Sequence, residues 1–205
     1  MLDRYVHPHL KPGLNCLVEK LDKPTLTADG LTLLGFAIGV LALPFLALGW
    51  YLAALTAIVL NRLLDGLDGA LARRRGITDA GGFLDIALDF LFYALVPFGF
   101  ALAAPSENAM AAAWLLFAFM GTGSSFLAFA ALAAKHDIDN PGYAHKSFYY
   151  LGGLTEGTET ILLFALCCLF PMHFALFAWI FGALCWLTTT TRIWSGYQTL
   201  KALAR

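Results

Sequence analysis

Four aspartates have the types and spacing to do chemistry. Asp65 and Asp68 are three residues apart, and Asp85 and Asp89 are four apart. Each pair therefore lies on one face of a helix. Both pairs sit in or beside long apolar stretches, where a lone charge is costly and is kept for a function. A short hairpin separates them. From Arg74 the first pair lies 6 and 9 residues back, and from Asp79 the second lies 6 and 10 residues on. At about 1.5 Å per residue, both fall roughly 9–15 Å from the turn. Four carboxylates converging at one depth repel one another. Divalent cations relieve that repulsion, and an all-oxygen ligand set suits Mg²⁺ or Mn²⁺.

Small residues flank the acids: Gly66, Gly69, Ala70 and Ala72 before the turn, Gly81 and Gly82 after it. In a membrane helix such residues let a backbone or ligand come close. Arg73 is four residues beyond Gly69, so a ligand lying over that glycine meets a guanidinium. Arg73, Arg74 and Arg75 form a cationic rim suited to phosphate. Metals, a phosphate-reading arginine and a close-contact surface together suit displacement at phosphorus.

The elements that must hold these residues follow from composition. Of 205 residues, 60% are apolar and only 13% are charged, about half the charged share of a soluble domain. The mean hydropathy is +0.72. Six apolar stretches are predicted to span a membrane, at about 30–48, 50–72, 82–104, 109–134, 148–170 and 173–194. Breaks are expected at Gly49-Trp50, Gly76 to Gly82, Pro105-Ser106, Asn140-Pro141-Gly142 and Pro171. Lysines and arginines outside the spans fall only on alternate sides, and the opposite loops carry only Glu107 as a charge. This alternation predicts that both termini and the aspartates face the cytoplasm. The first 23 residues are too charged for a secretory signal. Leu10, Leu14, Leu17, Val18 and Leu21 recur at helical spacing. They predict an amphipathic helix on the membrane surface, confined to the stretch after Pro12. The expected organisation is all-α: a juxtamembrane segment at 1–28 and one six-helix membrane domain at 29–205. A formal net charge of −1 gives no ground for a nucleic-acid partner, and none is expected.

In order, the residues read Asp65-x2-Asp68-Gly69-x2-Ala72-Arg73-x7-Gly81-x3-Asp85-x3-Asp89. This resembles the CDP-alcohol phosphatidyltransferase signature, with all eight specified positions filled inside 25 residues. The six-helix layout is similar too, and small bacterial inner-membrane members are the nearest in kind. The resemblance implies transfer of a phosphatidyl group from CDP-diacylglycerol to an acceptor alcohol, with release of CMP. It implies that Asp65, Asp68 and Asp85 hold two divalent metals, with Asp89 contributing and also serving as general base. Gly69, Ala72 and Gly81 would pack against the nucleotide, Arg73 would meet the pyrophosphate, and the enzyme would be a homodimer. Thr27 to Thr32 resembles the family's entry to the first helix, with Asp29 where asparagine is usual.

The acceptor is expected beside Asp89, among Lys146, Glu156, Glu159 and Arg192. Glu156 and Glu159, three apart, admit two readings. They face an ammonium headgroup or hold Lys146 or Arg192; or they partner Arg62 or Arg192 without touching substrate. A phosphate-bearing acceptor would want Lys146 and Arg192 free, and a polyol or phosphatidylglycerol would need fewer charges. Two rival functions remain. A transporter would use the aspartates as a cation or proton path, but the outer halves of the spans are almost wholly apolar. A silent family member could act as a lipid-binding scaffold, although no motif acid is missing. Cys16, Cys167, Cys168 and Cys185 show no metal spacing. The five histidines share no helical spacing, and Trp50, Tyr51, Tyr149, Tyr150 and Trp194 are expected as interface anchors.

Overall fold

The computed structural model describes residues 3–21, 26–136, 138 and 154–203. Its helices are α1 (Asp3–Leu21), α2 (Ala28–Val40), α3 (Ala42–Ala47), α4 (Tyr51–Arg75), α5 (Asp79–Ala103), α6 (Pro105–Lys135), α7 (Gly157–Leu169) and α8 (Phe174–Leu203). Pro171–His173 forms one 3-10 turn before α8. Among the described residues there is no strand.

Four segments are long and apolar enough to cross a membrane: Ala28–Ala47, Asp79–Ala103, Pro105–Lys135 and Pro171–Ala202. The helix α4 has 25 residues, but its inner half carries the charges of the site. Within the fifth predicted span the described helix is α7, with 13 residues; positions 148–153 lie outside the described residues. Leu52, Met110 and Met120 turn large apolar side chains outward, as helices facing lipid do.

Several predicted boundaries move. The first span breaks at Leu41, whose N–H bonds to Ile38 rather than one residue further back. Pro44 lies just beyond, and its missing N–H leaves the Val40 carbonyl without its helical donor. The fourth helix starts at Pro105 instead of 109, because proline at the first helical position fits the turn rather than breaking it. The last helix runs on to Leu203. The surface helix begins at Asp3 and passes through Pro8 and Pro12, rather than starting after Pro12 as the sequence predicts. The backbone bonds these prolines forfeit fall in its first half, leaving the half that docks on α4 intact.

Two cores hold the helices in place. The larger is apolar throughout and includes Leu46, Ile58, Phe92, Val96, Phe100, Phe164 and Phe174, with Phe100 and Phe174 stacked at 4.4 Å. Cys167, Cys168 and Cys185 are buried free thiols and Cys16 is exposed; the first three act as small packing residues. The smaller core joins Val18 of α1, Leu31 of α2 and Leu67, Ala70 and Leu71 of α4. Leu14 of α1 seats on Gly66, its methyls 3.0 and 3.3 Å from where a Cβ would stand. Glu19 pairs with Arg74 at 3.5 Å, and Arg75 donates to the Leu26 carbonyl. Two of the three rim arginines thus tie down the N-terminal region.

Candidate active site

Two helix starts face the site with matching caps. Thr27 accepts from the Gly30 N–H at 3.0 Å, and Thr78 accepts from the Gly81 N–H at 3.1 Å. Asp29 and Asp79 occupy the respective first turns, where the helix dipole favours negative charge. The α4–α5 connection begins at Gly76, whose φ of +114° is open to glycine and strained for other residues.

From these anchors α4 and α5 bring the acids together. One carboxylate oxygen from each of Asp65, Asp68 and Asp85 lies within 4.8 Å of the others. Asp68 is buried and accepts from the Thr32 hydroxyl at 2.5 Å, so α2 orients it. The trio's donors are all carboxylate oxygens, close enough to share one ion, and this set fits a hard dication. Asp89 lies in the same cleft, which is also lined by Thr32, Gly35, Asn61 and Arg62. It is engaged differently: Arg62 Nη2 donates to Asp89 Oδ1 at 2.7 Å, and Arg62 Nη1 stands 3.6 Å from Asp65 Oδ2.

Arg62 is held on every side. Its Nε donates to Asn61 Oδ1 at 2.8 Å. Its guanidinium carbon lies 4.7 Å from the Phe92 ring centre and 5.6 Å from that of Tyr93. Asn61 in turn donates to the Gly35 carbonyl at 2.9 Å. The close approach of α2 depends on Gly39, where a Cβ would stand 2.9 Å from Phe92 and 3.0 Å from Asn61. Sequence reasoning missed Asn61, Phe92 and Arg62's role. The one signal available was Arg62 three residues before Asp65.

The other predicted site residues divide. Arg73 folds back over Gly69, its Nη1 3.2 Å from where a Cβ would be. Ala72 is partly buried on the same helix. At Gly81, a Cβ would meet Asp29 Oδ1 and Thr78 Oγ1, each at 3.0 Å. Glu156 and Glu159 form a capping box on α7: the Glu156 side chain accepts from the Glu159 N–H, and Glu159 accepts from the Glu156 N–H at 3.2 Å. For the reading that pairs them with Arg62, Asp89 and Asp65 are competitors that hold that guanidinium. Arg192 is buried and donates to the Thr122 carbonyl at 3.3 Å, joining α8 to α6. Neither glutamate nor Arg192 is among the described residues lining the aspartate cleft. Lys146 lies outside the described residues.

Residues 25–194 match the CDP-alcohol phosphatidyltransferase family, and the chain belongs to that family. It is 81% identical over its full length, and that of the relative, to the Escherichia coli inner membrane protein YnjF. It is 37% identical over 98 residues, 47% of this chain and 52% of the relative, to archaetidylinositol phosphate synthase from Pyrococcus horikoshii. The fold is similar to that of Mycobacterium tuberculosis phosphatidylinositol phosphate synthase PgsA1. The structure with manganese and citrate gives a TM-score of 0.69 at 20% identity, covering 91% of this chain and 88% of the other. The structure with CDP-DAG bound gives 0.64 at 21% identity, covering 92% and 94%.

Proposed function

We propose that this chain transfers the phosphatidyl group of CDP-diacylglycerol to an acceptor alcohol and releases CMP. One observation carries the reading: three carboxylates lie within 4.8 Å of one another, with a fourth in the same cleft, on the spacing the family signature specifies. The CDP-DAG held by PgsA1 and the name of the Pyrococcus relative support the substrate class.

Asp65, Asp68 and Asp85 would hold the divalent metal, Mg²⁺ or Mn²⁺, as two ions, with Asp89 contributing. When bound, the metal offsets the negative charge of the departing nucleotide. Gly69 and Ala72 give the nucleotide a surface without side chains, Gly81 receives it from α5, and Arg73 meets the diphosphate. Asp89 accepts the proton of the acceptor hydroxyl. The acceptor oxygen forms its bond to the lipid-side phosphorus, and the bond from that phosphorus to the CMP oxygen breaks. The hydrogen ends on Asp89, the phosphatidyl group on the acceptor, and CMP leaves.

A lipid substrate with a water-soluble headgroup needs this chemistry near the interface, and the acids sit at the loop ends of α4 and α5. Lys146 and Arg192 supply positive charge on the acceptor side. Glu156 and Glu159 act there by fixing the start of α7. We place the protein in a bacterial inner membrane as a homodimer of six-span chains, each a 29–205 membrane domain with a 1–28 surface segment, termini and site cytoplasmic. The basic loops and the inner-membrane relative support that placement.

The test is CMP release from CDP-diacylglycerol by purified protein with Mg²⁺ or Mn²⁺ and a panel of alcohols. The panel includes glycerol 3-phosphate, an inositol phosphate, a polyol and phosphatidylglycerol. Release with one of them, abolished by chelator, is expected. No release with any alcohol overturns the enzymatic reading and leaves a lipid-binding scaffold. Cation flux in proteoliposomes without CMP release would mark a transporter.

A further inference from the structure

Arg62 is a partly buried cation that the family signature does not specify, yet it lines the aspartate cleft. We propose that Arg62 is a positioning residue. It pins Oδ1 of Asp89, so that only the other oxygen of that carboxylate is left for the acceptor and for a share in the Asp65–Asp68–Asp85 cluster. The inference rests on the phosphatidyl-transfer reading for its catalytic part and on geometry alone for its metal part.

The geometry is specific. All three nitrogen positions of the guanidinium are committed: Nε to Asn61 at 2.8 Å, Nη2 to Asp89 at 2.7 Å, and Nη1 towards Asp65 at 3.6 Å. The Phe92 and Tyr93 rings pack against it. Asn61 is fixed by the Gly35 carbonyl at 2.9 Å. The chain of contacts runs from the α2 backbone through Asn61 and Arg62 to Asp89 on α5. None of these partners can turn without displacing the next.

A fold-tie alone would not need a charge here. A buried ion pair adds little stability over a well-packed apolar replacement, while losing one partner is costly. What the pair adds is direction. A free carboxylate among three others at one depth joins whatever cation they bind, through either oxygen. A carboxylate held at Oδ1 presents only the other. The planar fork of arginine sets that bearing, and a lysine ammonium carries the charge without it.

The experiment measures Mn²⁺ binding by the free-ion EPR signal, and CMP release, on wild type, Arg62→Gln and Arg62→Lys in detergent. In Arg62→Gln, Asp89 is released and a positive charge beside the cluster is removed. Mn²⁺ binding should tighten by about threefold or more. The same variant should lose about 10- to 100-fold in kcat, with KM for CDP-diacylglycerol changed less than about threefold. Arg62→Lys keeps the charge, so Mn²⁺ binding should stay within about twofold of wild type while kcat falls by about fivefold or more.

Unchanged or weaker Mn²⁺ binding in Arg62→Gln overturns the proposal, as does wild-type kcat in Arg62→Lys. A merely structural role would lower activity and folded fraction together without tightening Mn²⁺. If Arg62→Gln does not fold, kcat of Arg62→Lys decides. If wild type releases no CMP with any alcohol, the enzymatic reading has failed, and Mn²⁺ binding of Arg62→Gln with and without Asp89→Asn decides the metal part: tightening that Asp89→Asn cancels supports the pinning, and tightening that survives it overturns the pinning.

Discussion

Asp65 and Asp68 share a spacing with Glu156 and Glu159, each pair three residues apart, yet the pairs do opposite things. The glutamates sit at the start of α7 and are taken up by its exposed N–H groups. The aspartates lie well inside α4, where the backbone amides are already bonded along the helix. Locally only Arg62, one turn before Asp65, stands near them, at 3.6 Å. They reach across the bundle, Asp68 to Thr32 on α2 and Asp65 to the cleft shared with Asp85. An acidic pair at helical spacing is thus a cap or a site according to its distance from a helix start.

Substitutions can break that comparison or sharpen it. Asp68→Asn should remove both Mn²⁺ and nucleotide binding and lower CMP release by about 1,000-fold or more, because a ligand is lost at the centre of the cluster. Retention of Mn²⁺ affinity would break the contrast. Asp89→Asn should lower kcat by about 100-fold or more, with nucleotide binding within about threefold by calorimetry. Equal loss of nucleotide affinity in the two variants would end their separate roles.

Glu156→Ala should cost about 1 kcal/mol of stability, as loss of a helix cap does, read as a lower melting temperature in detergent. CMP release should fall less than about fivefold, a limited effect that follows from a cap near the site. A loss like that of Asp68→Asn would put the glutamate in the chemistry. The smallest effect is expected from Glu19→Gln. It removes the exposed pair with Arg74 and should change stability by under about 0.5 kcal/mol in a urea titration.

The aspartate cluster was legible because its information is local. Helical spacing fixes the face, and a short hairpin fixes the depth. The all-α membrane fold followed from composition, which is equally indifferent to tertiary detail. What could not be read depends on rotation of one helix about its axis relative to another. Arg62 meets Asp89 across 27 residues of sequence, and either the glutamates or the aspartates could have claimed it. The capping box was hidden because Glu156 is an uncommon N-cap residue. The break at Leu41 is signalled by Pro44, inside an otherwise continuous apolar run, and Pro105, which reads as a break, instead opens α6.

Leu14 occupies the volume that any side chain at position 66 would need, one residue from Asp65. The two positions are therefore exchangeable in bulk but not independent. A sequence of this fold that gains a methyl at 66 has to move the end of the side chain at 14 by a few tenths of an ångström, or shorten it. Substitution tolerance at Leu14 is set by a neighbour of the aspartate cluster.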